Sequence, residues 1–143
     1  MPTDEEIMEA GLAFVRDHFE NEGYILEDYI DEESKSEYYI KMEGWGKIPD
    51  GPEFIARKDK WQRYYVLVRS TEEDNFNRLR LDAEQVQARK KKGDMFLLCL
   101  VSKSPHNCCL YGIISGNQLK KRIIDMEEPQ YYDLTALPEK YNL

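Results

Sequence analysis

Three continuous apolar runs constrain the fold of this chain more than any other feature of its sequence. They are Tyr64–Val68, Met95–Val101 and Cys109–Ile114. A strand with one face in water alternates apolar and polar residues, whereas a strand that is covered on both faces is apolar throughout. The three runs therefore predict strands of a sheet that lies between two other layers.

A first helix is predicted over about Asp4–Asn21. Thr3 and Glu6 have the spacing of a capping box, and apolar residues then recur at helical spacing. Gly23 supplies the left-handed residue that commonly ends a helix. A strand is expected to follow at once, beginning at Tyr24–Leu26.

A second helix is predicted between the first two apolar runs. Asp82, followed three residues later by Gln85, is an N-cap signature, and Gly93 is placed to end the helix. The last turn would be Arg89–Lys92, where the helix dipole favours cations.

The rest of the chain gives weaker signals. Two strands are predicted at Glu37–Met42 and Phe54–Ala56, and a third helix from about Gly116 to Ile124. Residues 128–143 contain two prolines and are predicted to form an irregular tail.

Element order and composition together predict one α/β (α+β) domain. Helices and strands alternate in an order that gives a mixed sheet flanked by helices. A chain of 143 residues with 41% hydrophobic content is long enough to bury one core. We expect a single globular domain over residues 1–127, followed by the tail at 128–143.

The apolar content and the cysteines indicate a soluble protein of the cytoplasm. The longest apolar run has seven residues, so neither a membrane span nor a secretory signal is expected. Cys99, Cys108 and Cys109 are odd in number and two of them are adjacent, which does not suit a disulfide framework. His106 lacks a second ligand pair at zinc-finger spacing, so no metal site is predicted there.

The net charge of −8 is unevenly distributed along the chain. Residues 1–53 carry 4 basic and 16 acidic side chains, whereas residues 54–122 carry 15 basic and 7 acidic ones. Screening limits the reach of a distant charge to about 8 Å at physiological salt. The overall acidity therefore does not exclude a polyanion bound at the central basic stretch.

The element order resembles the core of the PD-(D/E)XK nuclease superfamily, and most closely its Mrr-like restriction endonuclease type. In that family a Gly and an aromatic residue follow the opening helix, as in Glu22–Tyr24, and a "PD-f-i-a" segment begins a strand, as in Pro52–Ala56. A "y-v-E-v-K-s" segment lies on the next strand, as in Tyr65–Ser70, and a helix and an apolar strand follow, like Leu81–Lys92 and Met95–Val101. The resemblance covers roughly residues 4–115 and implies a restriction-endonuclease-like fold.

The resemblance also implies a degenerate active site at Glu53, Leu67 and Arg69. In the family, two carboxylates on neighbouring strands hold Mg²⁺ and a lysine helps to orient water. Glu53 retains the first carboxylate, but Leu67 stands at the second and cannot ligate a metal. Arg69 replaces the lysine and cannot take a proton, although it can bind a phosphate with two hydrogen bonds. No catalytic residue and no cofactor are therefore predicted.

Two alternatives to a degenerate site stay open. In the first, a displaced carboxylate at Glu72, Glu73 or Glu84 restores a Mg²⁺-dependent endonuclease. In the second, Leu67 and Arg69 are a core residue and a strand-end charge in an unrelated sheet. A literal E-x-K occurs at Glu33–Lys35 but lies in a polar acidic run, so we interpret it as a solvated loop.

Basic residues around the predicted hairpin and the second helix are candidate contacts for nucleic acid. If they share one face, they neutralise phosphates and make binding depend on salt. The candidates are Arg57, Lys58, Arg69, Arg78, Arg80, Arg89, Lys90, Lys91 and Lys92, with Lys60 and Arg63 in the same stretch.

Three functions are compatible with these features. The first is a non-catalytic nuclease-fold protein that binds DNA, RNA or a protein partner. The second is the endonuclease with a displaced carboxylate, which would require Mg²⁺. The third is an acidic interaction or inhibitor protein whose opening segment meets a basic partner. The sequence predicts no membrane partner and does not define an oligomeric state.

Overall fold

The apolar runs form adjacent strands in the computed structural model, which describes residues 1–28, 54–59, 62–125 and 130–135. The strands of this five-stranded sheet, in spatial order, are β1 (Ile25–Asp28), β2 (Phe54–Arg57), β3 (Arg63–Ser70), β5 (Phe96–Ser102) and β6 (Cys109–Ser115). Strand β3 is parallel to β5, and the other neighbouring pairs are antiparallel. The predicted α/β fold with a mixed sheet is confirmed.

Strand β5, an interior strand of the sheet, has the burial expected of a strand that is covered on both faces. All of its residues are buried. Strand β6, which ends the sheet among the described residues, is buried only in part. The continuous apolar run therefore predicts complete burial correctly for β5 but not for β6.

Helix α1 (Asp4–Asn21) covers one face of this sheet. It begins as predicted, because the Glu6 amide donates to Thr3 Oγ1 at 3.1 Å, and Gly23 follows it with a φ of 92°. We call the buried side chains between helix and sheet the α1 core. They are Val15, Phe19, Tyr24, Phe54, Ala56, Val66, Val68, Leu97, Cys99, Val101 and Ile113.

Helix α1 packs closely against the sheet at Gly11. A Cβ atom at this position would clash with Ser70 Oγ of β3, so any larger residue requires Ser70 to move. Ser70 Oγ is itself buried and has no hydrogen-bond partner in the described part of the chain.

Helices α2 (Ala83–Lys92) and α3 (Gly116–Lys120) lie on the opposite face together with a second, smaller sheet. The strands of the small sheet are β4 (Arg78–Leu81), β8 (Gln130–Asp133) and β7 (Ile123–Asp125), in that spatial order, and both pairs are antiparallel. We call the buried side chains of this layer the α2 core. They are Leu67, Leu79, Leu81, Val86, Ala88, Phe96, Leu98, Leu100, Ile114, Leu119, Tyr132 and Leu134.

Helix α2 has the ends that the sequence predicts. The Asp82 amide donates to Gln85 Oε1 at 3.0 Å, which is one half of a capping box. Gly93 ends the helix with a φ of 53° and opens a short 3₁₀ turn, Gly93–Met95, that leads into β5.

The small sheet corrects two predictions for the end of the chain. The third helix ends at Lys120, and the chain continues as β7 instead of remaining helical as far as Ile124. The predicted irregular tail contains β8, and both Tyr132 and Leu134 are fully buried. The division of the chain at residue 127 stays a prediction. The remaining predicted strand, Glu37–Met42, lies outside the described residues.

Candidate nucleic-acid interface

The two β3 positions that resemble the nuclease motif lie on the α2 side of the sheet. Leu67 is fully buried in the α2 core and is opposite Leu98 of β5. Arg69, on the same face by the period of two, is half-buried, and its guanidinium donates to the Val68 carbonyl oxygen at 3.2 Å. Leucine suits its apolar surroundings here, where an ionised carboxylate would lose its hydration.

The third motif residue, Glu53, lies outside the described residues. The residue after it, Phe54, pairs with Val66, the residue before Leu67. The two segments that carry the resemblance thus lead into neighbouring antiparallel strands. The prediction that Glu53 and Leu67 share a site stays a prediction.

Two arginines face each other where β2 turns into β3. Arg57 and Arg63 are directly opposite in the strand register, so their side chains leave the same face. Arg57 Nε is 2.5 Å from Glu27 Oε1 of β1. Arg63 is exposed and has no acidic partner among the described residues. Like charges in such a pair destabilise a sheet, and the Glu27 carboxylate beside Arg57 opposes this repulsion.

Two lysines at the same end of the sheet lie over tyrosine rings. Lys58 Nζ is 4.9 Å from the ring centre of Tyr24, on the α1 side. Lys92 Nζ, from the last turn of α2, is 4.3 Å from the ring centre of Tyr65. The negative face of each ring attracts the ammonium group and limits its positions. We call the four cations Arg57, Lys58, Arg63 and Lys92 the hairpin cluster.

Lys90 and Lys91 are next to Lys92 in α2, whereas Arg69, Arg78 and Arg80 lie in other parts of the two sheets. Arg69 is six residues along β3 from Arg63, which corresponds to about 20 Å. Arg78 and Arg80 are exposed on β4 of the small sheet, where Arg80 Nη2 is 3.2 Å from Asp82 Oδ1 and Arg78 is opposite Asp133. The predicted basic face is therefore divided into separate groups.

Arg89 is the clearest correction among the candidates. It is only 4% exposed, whereas Lys90 and Lys91 beside it are exposed. Its Nε donates to the Tyr132 hydroxyl at 3.0 Å, and Tyr132 in turn donates to Gln130 Oε1 at 2.6 Å. Arg89 thus joins α2 to β8 inside the protein and is not placed at the surface to contact phosphate.

A displaced metal-binding carboxylate finds no support from the described side chains. Glu72 and Glu73 are exposed, and the side chain of Glu84 is not described. Within residues 1–28, 54–59, 62–125 and 130–135, no three His, Cys, Asp or Glu side chains gather into a possible metal site.

The sequence predicts the cations of the hairpin cluster but not the tyrosine rings that its lysines contact or the pairing of its arginines. Arg57, Lys58 and Arg63 flank a hairpin that can be predicted from the sequence. Tyr24 and Tyr65 contact lysines that are far from them in the chain, and no local pattern indicates such a contact. Cross-strand pairing of the two arginines requires a register that a short strand does not define by itself.

Comparisons of the chain with protein-family models, curated proteins and solved structures give no match. In the described part of the chain, no helix combines the length and the apolar content that crossing a membrane requires.

Proposed function

We propose that this protein is a non-catalytic nuclease-fold protein of the cytoplasm that binds nucleic acid through the hairpin cluster. The observation that carries the proposal is the cross-strand pair Arg57 and Arg63. Two like charges face each other there in a protein whose net charge is −8. A bound phosphate would neutralise their repulsion, and each guanidinium can donate two hydrogen bonds to it.

The two lysines extend the same argument. Lys58 and Lys92 lie on either side of the sheet end, each held over a ring. A cation that is already restricted loses less conformational entropy when it binds a phosphate. The hairpin cluster therefore offers positive charge that is concentrated and partly preorganised.

The absence of catalysis is proposed from the residues at the motif positions. The side chain of Leu67 has no oxygen to offer a hard cation, and Arg69 stays protonated at any working pH. Glu53 alone would be a weak site for Mg²⁺, which dehydrates reluctantly.

A titration of labelled DNA and RNA oligonucleotides, followed by fluorescence anisotropy at low salt, tests the binding. We expect the logarithm of the affinity to fall linearly with the logarithm of the salt concentration, as counterion release requires. Arg63→Gln should weaken binding by about tenfold, the value of one charge-assisted contact. Arg80→Gln is the matched control, because it removes the same charge from the small sheet and should change the affinity little. Equal effects of the two variants, or no binding at all, would refute the proposal.

A cleavage assay with Mg²⁺ or Mn²⁺ tests the proposed absence of nuclease activity. We expect intact substrate after prolonged incubation with the purified protein. Metal-dependent cleavage that is lost in Glu53→Ala would instead establish the endonuclease alternative.

The acidic surface of α1 favours a protein partner as the second candidate function. The exposed acidic residues of this helix and its C-cap are Asp4, Glu5, Glu6, Glu9, Asp17, Glu20 and Glu22. A basic protein would be attracted to this surface and not to the hairpin cluster. If Glu5→Gln with Glu9→Gln abolishes binding to a basic polypeptide while nucleic acid is not bound, this function replaces the first.

A further inference from the structure

Strand β6 forms one edge of the five-stranded sheet in the described part of the chain, and we propose that two copies of this protein pair there edge to edge. The two β6 strands would lie antiparallel about a two-fold axis and join the two sheets into one continuous sheet. The proposal concerns the backbone of β6 and goes beyond the binding of nucleic acid, on which it does not depend.

The outer backbone groups of β6 are available for such pairing. An edge strand directs the N–H and C=O groups of alternate residues away from its single neighbour. Apart from the pairing with β5, no backbone group of residues 109–114 is hydrogen-bonded to another described backbone group. Ser115 differs, because its amide donates to Gln118 Oε1 at 3.1 Å. The part of β6 that is exposed or half-buried, and can therefore be reached by a partner, is residues 109–112.

The lack of charge on β6 favours a second copy of the same chain as the partner. No residue of β6 is charged, although 34% of the chain is. A strand that pairs with itself brings its side chains close to those of its copy, so charges of one sign destabilise the pair. Among the other sheet edges in the described structure, β1 carries Glu27, β4 carries Arg78 and Arg80, and β7 carries Asp125. Charge therefore opposes self-pairing at those strands and not at β6.

The surroundings of β6 also limit the repulsion between two copies that each have a net charge of −8. The chain contains no acidic residue between Asp94 and Asp125. The acidic helix α1 lies mainly over β3, with further contacts to β1 and β5. In the joined sheet the two β3 strands would be five strand spacings apart, about 24 Å at about 4.8 Å each. This is about three Debye lengths at physiological salt, so the repulsion between the two helices is almost fully screened.

A bulge in β6 limits the strength expected of this interface. Tyr111 is an extra residue, because Leu110 is opposite Val101 and Gly112 is opposite Leu100. Bulges disturb the regular spacing of the backbone groups at an edge, so only a few hydrogen bonds can form between the two copies. Small interfaces of this kind are weak, and we expect a dissociation constant on the order of 100 µM.

Sedimentation velocity of the full chain in reducing buffer, from about 5 to about 500 µM, tests the proposal. The average mass should rise from that of one chain towards that of two. Hydrogen exchange at the two ends of this concentration range is a second measurement, which needs no variant. The outward amides of residues 109–114 should exchange more slowly at the high concentration, whereas those of β4 should exchange at the same rate.

Three variants locate the interface. Cys109→Lys places a charge at the exposed start of β6 and should weaken self-association at least about tenfold. Ile124→Lys is the matched control, because it adds the same charge at an exposed position of β7 and should leave self-association unchanged. Cys109→Ser should still dimerise, because the backbone and not the thiol makes the contact. Thermal unfolding followed by circular dichroism verifies that each variant is folded.

A chain that stays monomeric at the highest concentration, or unchanged exchange of the amides of residues 109–114, would overturn the proposal. A dimer that Cys109→Lys and Ile124→Lys weaken equally would also overturn it, and so would one that is lost in Cys109→Ser. None of these results bears on the binding of nucleic acid, which the anisotropy titration tests separately.

Discussion

The two sides of the five-stranded sheet are built in different ways. The α1 core is covered by one helix. On this side lies Ser70 Oγ, which in the described chain is the one buried polar side-chain atom without a hydrogen-bond partner. The α2 core is closed by two helices and a small sheet, and it encloses the hydrogen-bonded polar group of Arg89, Gln130 and Tyr132. The α1 side is mainly apolar, with one side-chain hydrogen bond from Ser104 Oγ to the Ile7 carbonyl oxygen at 2.6 Å, whereas the α2 side contains a connected group of buried polar side chains.

The outer surfaces differ as well. Helix α1 carries acidic residues on its exposed face, and α2 ends in exposed lysines. The hairpin cluster lies at the sheet end between these surfaces, with Lys58 on the α1 side and Lys92 on the α2 side.

The largest expected effect tests the apolar side. Phe19 is fully buried and makes edge contacts with the rings of Tyr24 and Phe54, at centroid distances of 5.2 Å and 6.0 Å. Phe19→Ala should lower the free energy of unfolding by about 3–5 kcal/mol, measured by urea denaturation. Met8→Ala, at an exposed position of the same helix, should change it by less than about 0.5 kcal/mol. Similar losses in both variants would mean that α1 does not pack as described.

A smaller loss tests the polar side. Tyr132→Phe removes the hydroxyl that accepts from Arg89 and donates to Gln130, so two buried polar groups lose a partner. The free energy of unfolding should fall by about 1–3 kcal/mol. Tyr131→Phe is the matched control on the same strand, because Tyr131 is only half-buried. If Tyr131→Phe lowers the free energy of unfolding as much as Tyr132→Phe does, the buried hydrogen bonds are not what stabilises β8.

These two sides also differ in how far the sequence predicts them. The start of α1 follows from Thr3 and Glu6, and the end of α2 from Gly93, because capping acts between residues a few positions apart. Strand β5 follows from an uninterrupted apolar run. Local signals of this kind are sufficient for the α1 side and for the order of the main strands.

The small sheet has no comparable local signal. Strands β4, β7 and β8 have only three or four residues each, too few for alternation to stand out, and β4 pairs with a strand about fifty residues later in the chain. The burial of Arg89 likewise cannot be predicted from its neighbours in the sequence. Arg89 has lysine neighbours on α2 and is predicted to be exposed with them, but its partners come from β8.

A gain in stability is expected from Ser70→Ala. Among the residues that the structure describes, none forms a hydrogen bond with the buried Ser70 hydroxyl, so its removal relieves a desolvation cost. The variant should be up to about 1 kcal/mol more stable in urea denaturation. Ser115→Ala provides the contrast, because Ser115 Oγ accepts from the Gln118 amide at the start of α3 and its loss should destabilise the protein. A clear loss of stability in Ser70→Ala would show that this hydroxyl does have a partner in solution.

The smallest effect concerns stability in acid and involves Asp133, the last residue of β8, the middle strand of the small sheet. Hydrogen bonds from the Thr135 hydroxyl and amide hold the pKa of Asp133 below its usual value of 3.8. A carboxyl group with a depressed pKa stabilises the fold above its unfolded pKa, and this contribution is lost as the pH falls below that value. Asp133→Asn should therefore reduce the loss of stability between about pH 5 and pH 2, measured from urea midpoints. Asp17→Asn on α1 is the comparison, and an equal reduction there would contradict the assignment to Asp133.

The central claim is that nucleic acid binds at the sheet end between the two sides. Its most direct test is a titration of ¹⁵N-labelled protein with a short oligo(dT), followed by the amide chemical shifts. We predict that the largest changes occur at Arg57, Lys58, Arg63 and Lys92, with little change over residues 4–17 of α1 or at Arg78 and Arg80. Largest changes on β4, or on the acidic face of α1, would contradict the account.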